Sequence, residues 1–135
     1  MAFTGNYTCN SFKSGLIGGD FDFDTDTIKM ALYTNSATLN ASTAAYSSTG
    51  EVSASGYTAG GVTLTVEKGS SGSVSYISFE DVSISAALTA RGALIYKDGG
   101  AAVCVLDFGS DKTSTATFVV SFPDANSTDA LIRLS

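Results

Sequence analysis

Four aspartates, Asp20, Asp22, Asp24 and Asp26, alternate with Phe21, Phe23 and Thr25, and oxygen ligands at that density are what a hard cation such as calcium requires. An EF-hand loop counted from Asp20 would need glycine sixth and glutamate twelfth, where this chain has Thr25 and Ala31. The alternation instead predicts an extended segment that turns its phenylalanines into the core and holds its carboxylates in water. Glu80, Asp81 and Asp107 could serve as a glycosidase acid and base only if the fold set them on either side of one sugar bond, and their spacing gives no reason for it to do so. The chain has no histidine, which removes the commonest proton carrier, the Ser-His-Asp and Cys-His arrangements, and nitrogen-ligated zinc or iron. It also has no GxSxG elbow and no GxxxxGK[ST] phosphate loop. The expectation is a chain that is not an enzyme and has no catalytic, cofactor-binding or metal-binding residues.

The side chains best suited to recognition are Tyr33, Tyr46, Tyr57 and Arg91, with Tyr76 and Tyr96 beside them, because aromatics and arginine offer large rigid contact area with a polar tip. The first four are the candidate interface residues. Cys9 and Cys104 stand far apart without a CxxC pair and read as two small buried hydrophobes. A net charge of −6 leaves too few cations to neutralise a phosphate backbone and opposes binding to anionic membranes, so neither nucleic acid nor membrane is an expected partner. The N-terminus lacks a basic run followed by an apolar one, which predicts synthesis in a cytoplasm without export by a signal of its own.

Elements able to position these residues follow from composition. Ser, Thr, Ala and Gly make up 67 of 135 residues, and Gln, a good helix former, is absent. Such a chain favours sheets and turns. Cys9, Phe12 and Leu16 at i, i+3 and i+7, ended by Gly18 and Gly19, predict a short helix over residues 6–17. Residues 27–34 alternate with period two, Ile28, Met30 and Leu32 on one face, as in a half-buried strand. Residues 35–61 read as a long hydroxyl-rich loop, unusual unless functional or ordered by a neighbour. Further strands are expected at 62–66, 74–79, 82–84, 90–96, 101–108, 115–122 and 130–134. Lys97-Asp-Gly-Gly100 is a hairpin turn signal that should pair 93–96 with 103–106, both apolar on both faces and therefore central. The fold class expected is mainly β, an antiparallel β-sandwich or jelly-roll-like domain with a short N-terminal helix. One domain spans residues 1–135, with a helical segment over 1–19 and the sandwich over 20–135.

Several runs carry a resemblance: Met1-Ala-Phe-Thr4, Tyr7-Thr-Cys-Asn-Ser-Phe-Lys-Ser14, Asp24-Thr-Asp-Thr-Ile-Lys-Met-Ala-Leu-Tyr-Thr34, Thr43-Ala-Ala-Tyr46, Gly50-Glu-Val-Ser53, Gly56-Tyr-Thr-Ala-Gly-Gly61 and Ala90-Arg-Gly-Ala-Leu-Ile-Tyr96. In this order they resemble small virion structural proteins of tailed bacteriophages, over nearly the whole chain. The resemblance implies a capsid decoration (cement) protein on the outside of the head. Its partner would be the major capsid protein, it would self-associate as a homotrimer, and it would be made in the cytoplasm of a bacterial host. The alternative it implies is a tail or tail-fibre-associated module involved in host or glycan recognition. The N-terminal segment and the loop at 35–61 are the parts expected to reach a neighbour, and the β-domain is expected to fold without residues 1–18.

Overall fold

A computed structural model describes residue 3 and residues 5–135. Met1, Ala2 and Thr4, where the N-terminal resemblance begins, lie outside the described residues. A two-residue strand, β1 (Tyr7–Thr8), leads into the helix α1 (Asn10–Gly18). Nine strands follow among the described residues: β2 (Ile28–Tyr33), β3 (Val62–Thr63), β4 (Val66–Ser71), β5 (Val74–Phe79), β6 (Val82–Ile84), β7 (Thr89–Lys97), β8 (Ala102–Thr113), β9 (Phe118–Val120) and β10 (Ile132–Leu134). The fold is mainly β with antiparallel sheets and one short helix, as the composition predicts.

A five-stranded sheet runs β1-β8-β7-β2-β3, and two smaller sheets run β10-β5-β4 and β6-β9. One face of the large sheet, built from Met30, Leu32, Ala93 and Ile95, packs against Phe79 of β5, Ile84 of β6, Phe118 of β9 and Ile132 of β10. This is the sandwich core. The opposite face presents Ala31, Tyr33, Leu94 and Tyr96, and it is covered by Phe3, Cys9 and two loop residues, Ala37 and Leu39. β7 therefore lies between β8 and β2 with apolar residues on both faces, the central position its sequence predicts. The expected pairing holds, with Ala93 opposite Leu106 and Ile95 opposite Cys104. The connecting turn closes through the Gly100 N–H on the Lys97 carbonyl at 2.8 Å.

Several boundaries differ from expectation. The helix begins at Asn10 rather than residue 6, because Tyr7 and Thr8 pair with Val105 and Cys104 at the edge of β8. Cys9, Phe12 and Leu16 do not form one stripe: Cys9 enters the loop-side core, while Phe12 and Leu16 face the sandwich core. Gly19, at φ +82°, ends the helix as its spacing predicts. The strand expected at 62–66 is divided, since Val62–Thr63 completes the large sheet and Val66 opens β4 in another. Phe3, Cys9 and Phe12 are each at most 2% exposed, so the N-terminal segment is part of both cores and not an arm free to reach a neighbour.

The acidic run is a turn and not an extended segment. The Asp22 carbonyl accepts the Asp26 N–H at 2.8 Å, the Asp22 carboxylate accepts the Asp24 N–H at 2.9 Å, and the Asp26 carboxylate accepts the Asp22 N–H at 2.7 Å. Its phenylalanines do turn inward, with Phe21 and Phe23 packing edge-on against Phe12 at 5.1 and 6.0 Å. Lys68 pairs with Asp24 at 2.9 Å and Lys97 with Asp26 at 3.3 Å.

Candidate functional site

Glu51 is the one charged residue between positions 35 and 61, and the loop is organised around its carboxylate. The Tyr46 hydroxyl donates to Oε1 at 2.5 Å, while the Tyr57 hydroxyl and the Gly60 N–H donate to Oε2 at 2.6 and 2.8 Å. The Tyr57 oxygen also accepts the Leu32 N–H of β2 at 2.9 Å. From β7, Tyr96 stacks on Tyr46 with ring centroids 5.1 Å apart and donates to the Gly60 carbonyl at 2.6 Å. Tyr33 donates to the Ser47 carbonyl at 2.7 Å. Backbone bonds run alongside, from the Thr34 N–H to the Gly50 carbonyl and from the Val52 N–H to the Leu32 carbonyl, both at 2.9 Å.

Local sequence explains why the loop can close so tightly. Gly61 has φ +84°, and a Cβ there would lie 1.8 Å from the Met30 carbonyl oxygen, so only glycine lets the returning chain rest on β2. The hydroxyl-rich residues around it carry little apolar area, and the loop is held by hydrogen bonds, by tyrosine rings and by three buried apolar residues, Ala37, Leu39 and Val52.

The junction holds its phenols in the protonated form. Its hydrogen bond to Glu51, then burial, pushes the Tyr46 hydroxyl up to about 12. Burial, then the bond to Glu51, pushes Tyr57 up further, and burial raises Tyr33 and Tyr96. All four phenols are neutral donors at ordinary pH. That makes Tyr46 and Tyr57 effective clamps on the Glu51 carboxylate, Tyr33 and Tyr96 clamps on loop carbonyls, and all four poor nucleophiles or acids.

Of the candidate interface residues, Tyr33 and Tyr57 are at most 9% exposed and serve the chain's own packing, which corrects the expectation that they anchor a partner. Tyr46 is half-buried within the junction. Arg91 is half-buried too, its Nε 3.1 Å from Asp107 Oδ1 and its guanidinium 5.9 Å from the Phe3 ring centroid. Burial pushes the Asp107 carboxyl upward, but the Gly109 N–H and Arg91 outweigh it and hold the group below the usual range. Asp81 accepts the Phe122 N–H at 2.8 Å. Tyr76 lies over Gly69, its cross-strand neighbour. Cys9 and Cys104 are buried free thiols; burial pushes Cys9 up to about 11, with Lys13 opposing, and raises Cys104 as well. Among the described residues, no group of three or more Cys, Asp or Glu is placed to hold a metal ion. Nor is any helix among them long and apolar enough to cross a membrane.

Glu51 is not among the candidate residues read from the sequence. Its signal is positional: a lone carboxylate in a hydroxyl-rich segment, with Tyr46 five residues before it and Tyr57 six after. Compared with known proteins, the chain matches no family, no curated sequence and no solved structure.

Proposed function

We propose that this chain is a non-catalytic structural protein of a tailed-phage particle, a decoration protein that docks on the outside of the head and reinforces the major capsid shell, with self-association as a homotrimer. One observation carries the reading. Three of the runs on which the phage resemblance rests, Gly50–Ser53, Gly56–Gly61 and Ala90–Tyr96, supply Glu51, Tyr57, Gly60 and Tyr96 to a single junction that makes a long surface loop rigid. A loop fixed before contact loses little conformational entropy on docking. Its outward side chains, among them Ser42, Ser47, Ser48, Thr49, Ser53 and Ser55, are exposed and uncharged, so a partner can cover them without stranding a buried charge. Each docked copy would stabilise the assembled shell by mass action.

The test is saturable co-sedimentation of the purified chain with phage heads that lack it. Saturation at a fixed ratio to the major capsid protein, weakened by Ser47→Glu and Thr49→Glu on the loop's outer side, is the expected result. No association with heads, by a chain whose circular dichroism shows it folded, overturns the reading.

A further inference from the structure

A cleft of about 410 Å³ opens beside the loop junction, within the range of small-molecule sites. Lys29 and Tyr96, paired across β2 and β7, form its floor; Ala45, Tyr46 and Ala59 wall it, and Asp98 stands at the rim in the β7–β8 turn. Gly60 keeps it open, since a Cβ there would sit 3.5 Å from the Tyr96 oxygen and 3.9 Å from Lys29 Nζ. Lys29 is the distinctive group. Three cations are half-buried among the described residues; Arg91 is taken by Asp107 and Lys97 by Asp26, while Lys29 has neither ion pair nor hydrogen bond. A half-buried ammonium in a cleft with aromatic and methyl walls calls for an anion attached to an apolar body.

We propose that this cleft binds an acidic sugar, with the carboxylate on Lys29, the C–H face of the pyranose against Tyr46, Ala45 and Ala59, and the hydroxyls toward Asp98 and the Gly99–Gly100 backbone at the rim. Both uronic and sialic acids present this chemistry. The lining supplies both charges, the half-buried Lys29 of β2 to pair with the carboxylate and the exposed Asp98 of the β7–β8 turn to accept hydroxyl protons. A neutral sugar would leave Lys29 without its partner, so the site selects for charge. The inference stands whether the chain sits on a head or a tail.

Titration of the isotopically labelled full chain with glucuronate, N-acetylneuraminate and glucose tests it by amide chemical shifts. Saturating shifts at Tyr46, Gly60 and Gly99 with at least one acid, and binding of glucose weaker by roughly tenfold or more, are expected. Lys29→Met should abolish that preference, and so should Ala59→Glu, which sets a repelling carboxylate at an exposed position of the wall. Should Lys29→Met fail to fold, Ala59→Glu decides alone. The proposal is overturned by no shifts at these amides up to about 50 mM of either acid, by glucose binding equally well, or by a preference unchanged in the folded variants.

Discussion

At the scale of the residue, Glu51 organises the loop over 35–61. Three donors converge on it, and Tyr57 links it to the backbone of β2. Tyr57→Phe removes one oxygen that serves two partners, leaving the Leu32 N–H without an acceptor and Glu51 Oε2 with the Gly60 N–H alone, and should cost about 1–3 kcal/mol in urea denaturation. The tyrosines add a pH signature. Because folding raises the Tyr46 pKa from 10.0 to about 12, and those of Tyr33 and Tyr57 as well, their contribution is whole below pH 10 and declines as pH climbs through 12. Urea midpoints measured between about pH 9 and pH 12 should fall across that window, whereas Tyr46→Phe should fall less steeply. None of this was legible from local pattern. Glu51 meets Tyr57 six residues away and Tyr57 meets Leu32 twenty-five residues away, distances over which side-chain periodicity carries no information.

At the scale of the element, what sequence revealed and what it hid divide by the range of the forces. β2, β5, β6 and the β7–β8 hairpin were legible because alternation, turn chemistry and two-sided apolar runs are written within a few residues. The start of the helix was not, since the edge of β8 captures Tyr7 and Thr8 from a stretch whose spacing is helical. The acidic run was misread as extended because Asx hydrogen bonds, which fold Asp22 and Asp26 onto their own backbone, compete with the strand that alternation suggests. The same comparison reverses one expectation. With Phe12 buried against Phe21 and Phe23, Phe12→Ala should cost about 3–5 kcal/mol, and deleting residues 1–18 should unfold the whole domain, read by loss of the cooperative transition in circular dichroism. Gly61→Ala should destabilise by at least about 2 kcal/mol, because the positive φ and the Met30 carbonyl both oppose a side chain.

At the scale of the whole molecule, a five-stranded sheet carries the sandwich core on one face and a smaller apolar core on the other, and the loop over 35–61 feeds both, Val52 and Tyr57 into the first and Ala37 and Leu39 into the second. The loop's own outer side chains are polar and uncharged over a hydrogen-bonded interior, and that arrangement underlies the proposal that the loop meets a partner. The most direct measurement is the copy number of this chain per purified particle, by quantitative mass spectrometry against the major capsid protein. A decoration role predicts one copy for every one to a few capsid subunits. A few copies per particle would contradict it and move the chain to the tail, and its absence from purified particles would contradict the virion reading altogether.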